Sequence, residues 1–529
     1  MKSMIKRTIR NCYGLIPVLG ILMGQFTVGQ DAAPDKDWHQ LDSDTGIHLG
    51  QAYELLQDRK SEKVVVAIID SGVDYLHEDL HTKIWVNTDE IPGNLIDDDK
   101  NGYVDDIHGW NFIGFPNGDN VENETLIETR IASAGKNYPG SREMYEDAKR
   151  AYHIHKKEAE EKKDLYGEYL SDIESIKSKV DASAQSLEQV IGQMGSLSSV
   201  GKLLLNAKKE GKDVDFVESQ IKEAYAFYSK ALDYYYNPYY DSRHIVGDNI
   251  ANKEQRSYGN NDVKGPDPSH GTHVAGIIGA IRGNGLGMDG IAEHVELMII
   301  RAVPDGDERD KDIDNAIRYA VNNGADIINL SFGKDYSWKK EWVDEAVRYA
   351  HRKDVLIIHA AGNSARKLNG KNNFPNKYFE KGTLFGSKEA KNWIEVGATT
   401  HHFDEGFVAN FSNYGKEQVD LVAPGAQIYS TTPNDSYAYF SGTSMAAPMV
   451  TGLAALLKSH FPHLSSQELK DIILGSVRTV GHEMYQPGGN RKVPLNMLSG
   501  TGGILDCGQA VKTALLRSKT YDTRINEAK

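Results

Sequence analysis

Cysteine is nearly absent from this sequence. The 529 residues hold two, Cys12 and Cys507, so no internal disulfide holds the fold together once an N-terminal leader is removed. Cys507, in G-I-L-D-C-G-Q-A, has no histidine beside it, which predicts a small buried residue and not a nucleophile. Long apolar runs are missing beyond residue 30, and this excludes a membrane-spanning helix from there on. Positive charge is short as well: 60 Lys and Arg against 75 Asp and Glu leave a formal net charge of −15. No basic cluster interleaved with aromatics offsets that balance, which argues against nonspecific binding to nucleic acid or anionic membranes.

What is present begins with a targeting segment. Lys2, Lys6, Arg7 and Arg10 precede a short apolar stretch over residues 13–28, and small residues around Gly29 offer a cleavage point. Residues 1–29 therefore read as a signal peptide, and the protein as secreted or periplasmic. Three zones follow. Residues 36–120 contain an apolar strand at 64–69 and then an acidic loop. Residues 121–245 are rich in Lys, Glu, Ala and Tyr and poor in proline. Residues 246–515 alternate apolar runs with amphipathic segments, and 516–529 form a polar tail.

The last large zone has a βαβ rhythm. Strands are predicted at 295–303, 325–330, 355–360, 393–398 and 419–423, with helices at 312–322, 338–352 and 444–459. Strands apolar throughout and separated by helices imply a parallel sheet covered on both faces, hence a three-layer α/β/α fold. The middle zone differs. Tyr169, Ile173, Ile176, Val180, Leu187, Val190, Met194 and Leu197 recur at helical spacing, broken at Ser183. A second helix over 213–236, after Gly211 and before Pro238, completes a helical hairpin over 141–236. Its apolar stripe must bury against its own return helix or against the rest of the chain.

Two chemical signatures overlap in V-A-I-I-D-S-G-V-D-Y-L-H-E-D-L-H. His77 to His81 fit H-E-x-x-H, the pattern of a helical zinc site, although here the motif follows a strand end and a tight S-G-V-D turn. The preceding run instead delivers Asp70 from a strand. Two further segments accompany it: H-G-T-H-V-A-G with His270 and S-G-T-S-M-A-A-P with Ser444. In the order Asp, His, Ser, these three segments resemble the active-site motifs of the subtilisin-like serine peptidases (subtilases, peptidase family S8). The resemblance covers most of 38–515 apart from the helical insertion.

The chemistry calls for these residue types. A serine hydroxyl is a weak nucleophile at neutral pH and needs a base to take its proton. The resemblance assigns Ser444 as nucleophile, His270 as base and later acid, and Asp70 as the group that orients the imidazole. It further assigns Asn363, in H-A-A-G-N, as a side-chain donor to the oxyanion. Ser331, Phe332 and Gly333, with Ala361 and Gly362, become the substrate-binding segments, where a peptide pairs through its main chain. The implied activity is a broad-specificity serine endopeptidase acting on proteins or peptides. An inactive scaffold whose insertion binds a partner, and a zinc peptidase built on HEDLH, are the alternatives.

Structural calcium is the implied cofactor, with no catalytic metal. Asp97, Asp99, Asn101 and Asp105 stand in a D-x-D-x-N-G pattern with glycine at the sixth position, and Asp79 matches a calcium position of the family. Three departures from the family stand out. Asp70 and His270 lie 200 residues apart, an excess that the helical insertion explains, and the insertion is expected to act as a lid, exosite or dimerisation arm. No stretch of propeptide length separates the leader from D-W-H-Q-L-D, so no folding prodomain is expected. The acidic stretch 305–312, D-G-D-E-R-D-K-D, reads as solvated loop charge, or else as an acidic rim favouring basic substrates.

Overall fold

The computed structural model describes residues 33–528, except 184–185, 194–198 and 382–386. The predicted signal peptide lies outside the described residues, as do Met194 and Leu197 of the apolar stripe. Two compact units emerge, Glu128–Tyr240 and the described parts of Ala32–Ile127 with Asp241–Lys529.

The larger unit is built on a central sheet. Its strands are β1 (Val64–Asp70), β2 (Gly109–Asn111), β3 (Val295–Arg301), β4 (Ile327–Leu330), β5 (Leu356–Ala360), β6 (Trp393–Thr399) and β7 (Leu421–Pro424). β8 (Ile428–Thr432) and β9 (Ser436–Phe440) form a separate hairpin, as do β11 (Glu483–Tyr485) and β12 (Lys492–Pro494). β10 (Arg478–Thr479) and β13 (Gly503–Ile504) complete the central sheet, in the order β10-β13-β7-β6-β5-β4-β1-β3-β2. Every pairing in it is parallel except β10 with β13.

Period-two alternation along β1 divides the core in two. Val64, Val66 and Ile68 pack on one face, against α3 (Ser269–Gly279) and α6 (Thr443–His460). Ala67 and Ile69 pack on the other, against α4 (Asp310–Asn322) and α5 (Lys340–Arg352). Because both faces are covered, both sets of side chains must be apolar, and this gives the V-V-V-A-I-I run. The result is the three-layer α/β/α architecture expected from the sequence. β1 sits between β3 and β4, where the strand order reverses, so its carboxyl end opens into the crevice where α/β sheets place their chemistry. Asp70 is its last residue.

The second unit is helical. α1 (Arg142–Ser183) ends where the periodicity breaks, and shorter helices follow at Leu187–Gln193 and Ser199–Lys209 in place of one continuous rod. α2 (Val214–Lys230) begins at Asp213, whose carboxylate accepts the Phe216 N–H, one of the four amides that a helix start leaves unpaired. A turn of π-helix, Ala231–Tyr235, then replaces the predicted α-helical end before Pro238. Ile173 and Ile176 of α1 are buried, as are Val217 and Ile221 of α2. Tyr166 stacks on Tyr228 with ring centroids 5.7 Å apart. The stripe thus buries against its own return helix.

Candidate active site

Asp70 is almost wholly buried at the end of β1. Its Oδ1 accepts the Ser71 N–H at 2.8 Å and lies 2.7 Å from His270 Nδ1. Its Oδ2 is buried without a hydrogen-bond partner among the described residues. His270 is the second residue of α3, and the helix comes this close because Gly271 has no side chain. A Cβ there would meet the Gly72 carbonyl oxygen at 2.1 Å and Asp70 Cβ at 3.2 Å. Burial alone would depress the imidazole pKa, but the Asp70 carboxylate, by charge and hydrogen bond, outweighs it. Asp267 adds to that, and the net shift is upward from 6.5.

Ser444 is the second residue of α6, after Gly442. Its Oγ donates to the Ser331 carbonyl at 2.9 Å, and Ser331 Oγ donates to the Ser444 carbonyl at the same distance. Pro448 explains the second bond. It stands four residues on and has no N–H, so the Ser444 carbonyl lacks its helical donor. Asn329 Nδ2 in turn donates to Ser331 Oγ at 2.9 Å.

Asn363 is anchored through its oxygen. Oδ1 accepts Thr443 N–H at 2.8 Å and Thr443 Oγ1–H at 2.9 Å, and Nδ2 has no acceptor among the described residues. A Cβ at Gly442 would lie 3.2 Å from Asn363 Nδ2 and 3.6 Å from Ser444 N. Glycine therefore leaves open the space between two N–H donors, one of them at a helix start, where anionic oxygen is favoured. Gly362 lies between Ala361 and Asn363 with φ +92°, a left-handed conformation that suits glycine; its N–H donates to Thr443 Oγ1 at 2.9 Å.

The zinc reading of HEDLH does not survive. Residues 77–80 are not helical, and only a 3₁₀ turn follows at His81–Lys83. His77 Nε2 lies 3.2 Å from the Ser436 carbonyl, and His81 Nδ1 lies 3.0 Å from that of Glu78. His273 is also structural: its Nε2 faces the Ile428 and Ala438 carbonyls, its ring stacks on Phe440, and burial lowers its pKa to about 3. Cys507 is buried, and its thiol pKa is pushed up by that burial.

The residues assigned to calcium do not form one group. Asp79 lies apart, bonded to Asn284 Nδ2 at 2.7 Å. Asp105 accepts the Gly93 and Leu95 N–H groups at 2.8 Å each, and Asn101 turns its oxygen to Tyr103 N–H at 2.8 Å. Asp97 caps Asn101 and Gly102. Asp99 instead converges with Glu90 and Asp106, one oxygen from each lying within 4.8 Å of the others. Sequence reasoning missed Glu90 and Asp106, because Glu90 lies outside the spaced motif and Asp106 off its alternation. Burial raises Asp106 to about 6, against hydrogen bonds from Tyr319, Asn87 and Asn101.

The acidic stretch 305–312 overturns both expectations placed on it. From Glu308 to Asp312 it is buried, with Asp312 fully so. Asp312 pairs with Arg243 at 2.8 Å, Lys311 with Asp248 at 2.5 Å, Asp310 with Lys334 at 2.9 Å, and Arg309 with Glu124. These carboxylates serve buried cations and form no solvated rim.

Residues 61–496 match the family described as Subtilase family (Peptidase_S8). A thermophilic serine proteinase of Bacillus sp. (strain AK1) is 42% identical over 192 residues, 36% of this chain and 43% of that protein. Alkaline elastase YaB of Bacillus sp. (strain YaB) is 35% identical over 214 residues, covering 40% and 51%. Subtilisin Savinase of Lederbergia lenta is 34% identical over 213 residues, covering 40% and 71%. The chain thus spans about half the length of the first two relatives.

Proposed function

Because the chain belongs to the subtilase family, we propose that it is an exported serine endopeptidase that cleaves peptide bonds through Asp70, His270 and Ser444. The observation that carries this reading is the Asp70–His270 hydrogen bond of 2.7 Å, at the carboxyl end of the central strand. An Nδ1–H donated to Asp70 leaves the lone pair of the imidazole on Nε2, the atom that must take the serine proton. Ser444 Oγ–H leaves the Ser331 carbonyl, passes its proton to His270 Nε2 and attacks the substrate carbonyl. The oxygen that gains charge moves into the space beside Gly442, between Asn363 Nδ2 and Ser444 N–H. His270 then protonates the departing amine, and water repeats the sequence on the acyl-enzyme.

The segment Ser331 to Gly333, beside Ser444, offers a main-chain edge for an extended peptide, whereas the main-chain groups of Ala361 and Gly362 are hydrogen-bonded within the fold. Backbone pairing of this kind supports broad use of protein and peptide substrates. A structural calcium ion suits the three converging carboxylates of Glu90, Asp99 and Asp106, which are hard oxygen donors whose mutual repulsion a divalent cation relieves. It would brace the loop and take no part in catalysis. No helix among the described residues is long and apolar enough to cross a membrane. The function is tested by casein hydrolysis with the full chain, which a serine-directed phosphonylating reagent should abolish and a zinc chelator should leave unchanged.

A further inference from the structure

Between Met445 and Lys458, α6 carries a single hydroxyl. It belongs to Thr451, fully buried two turns after Ser444 and on the same side of the helix. Thr451 Oγ1 donates to Asn329 Oδ1 at 2.8 Å, and the Ala447 carbonyl, one turn back, lies farther off at 3.1 Å. Asn329 is equally out of place, a fully buried amide in the apolar strand β4. Helix and strand thus each place a polar group where they face one another, an arrangement that is costly unless every member of it is hydrogen-bonded.

The direction of each bond follows from Pro448. Because proline has no N–H, the Ser444 carbonyl takes its donor from outside the helix, the proton of Ser331 Oγ at 2.9 Å. A hydroxyl has one proton to give, so Ser331 Oγ must be the acceptor in its other bond, from Asn329 Nδ2 at 2.9 Å. That turns Asn329 Oδ1 the opposite way, toward α6, where only a donor can satisfy it. Thr451 is that donor. Turned over, the amide would offer its oxygen to Ser331 and draw the Ser331 proton away, leaving the Ser444 carbonyl without a partner. The Thr451 hydroxyl selects between these two orientations of Asn329, and valine, of the same shape, would favour neither.

We propose that Thr451 is a positioning residue for peptide cleavage: through Asn329 it commits the Ser331 hydroxyl to the Ser444 carbonyl and so fixes the first turn of α6. That turn carries both the nucleophilic oxygen and the backbone N–H beside Gly442. Ser444 Oγ bonds in turn to the Ser331 carbonyl, so residues 331 and 444 are joined twice. When the Ser331 proton turns to Asn329, the bond that holds the main chain of Ser444 is lost. The nucleophile and the N–H donor then lose their fixed placement on the substrate carbonyl. Thr451 touches no substrate and moves no proton during the reaction.

This inference rests on the peptidase reading, and one experiment separates the two. The full chain, T451V, T451S, S331A and the T451V/S331A double variant are assayed on one peptide anilide, with active sites counted by fluorophosphonate labelling. T451V, or T451A if the valine variant does not fold, should lower kcat per labelled site about ten- to a hundredfold while KM stays within about twofold. T451S keeps the hydroxyl and should restore kcat. S331A removes the far end of the chain of bonds, so adding T451V to it should lower kcat no further. A threonine that only packs in the helix would instead give losses that multiply in the double variant. Multiplied losses, a T451S enzyme as slow as T451V, or a T451V enzyme as fast as the native one, overturn the role of Thr451 alone. A folded native protein that neither labels nor hydrolyses overturns both.

Discussion

His270 Nδ1 lies 2.7 Å from Asp70 Oδ1, across 200 residues of chain that include an entire helical unit. The contact raises the imidazole pKa above 6.5 despite burial, and two opposite pH dependences follow. As a base the imidazole must be neutral, so kcat/KM should fall on the acid side with a midpoint above 6.5, and Asp70→Asn should lower that midpoint while reducing kcat about 10⁴-fold. Stability runs the other way. A group whose pKa is raised on folding stabilises the fold fully below its unfolded value near 6.5 and loses that contribution as pH rises through the folded value. Denaturation midpoints of wild type and Asp70→Asn should therefore differ most at mildly acid pH and converge at alkaline pH.

The oxyanion site should respond to changes that leave substrate binding alone. Asn363→Leu should lower kcat about 10²–10³-fold with KM little altered. Gly442→Ala should also lower kcat, because its Cβ would sit 3.2 Å from Asn363 Nδ2, in the space kept for the oxygen. Thr443→Val removes the hydroxyl that holds Asn363 Oδ1 and should have a smaller effect. Steady-state kinetics on one peptide anilide check all three.

Much of this was legible in the sequence, and what was not has a common cause. The apolar run of β1, the α6 segment after Ser444 and the helix start at residue 213 each express a local rule of period or terminus, so they could be read directly. The acidic stretch 305–312 could not, since local composition says solvent. Its cations come from Arg243, Lys334 and nearby Lys311 and Arg309, and only the tertiary fold brings Asp248 and Glu124 to them. Glu90 was hidden for the same reason, because only the folded loop carries it to Asp99 and Asp106. So was Glu395, a single acidic residue in an apolar strand whose partners, His359 and Asn373, come from elsewhere in the chain.

The buried acidic stretch makes a stability prediction. Asp312→Ala leaves Arg243 with one partner fewer in a buried site and should cost about 3–5 kcal/mol in chemical denaturation. The loss should persist in high salt, because a buried pair is poorly screened. Glu405→Ala, at an exposed pair with Lys492, should leave stability essentially unchanged.

Calcium should raise Tm if Glu90, Asp99 and Asp106 hold it, and a calcium chelator should reverse the rise. Asp99→Asn and Glu90→Gln should each flatten the response while leaving catalysis by the folded enzyme intact. A Tm indifferent to calcium would remove the ion from this loop.

The central claim is that Ser444 is an activated nucleophile. The most direct measurement is labelling of the purified full chain with a fluorophosphonate probe, beside Ser444→Ala, with casein hydrolysis read on the same samples. Labelling and hydrolysis in the wild type, both lost in the variant, is the predicted result. A folded wild type that takes no label, or a Ser444→Ala protein that labels equally well, would contradict the account and favour a scaffold that binds without cleaving.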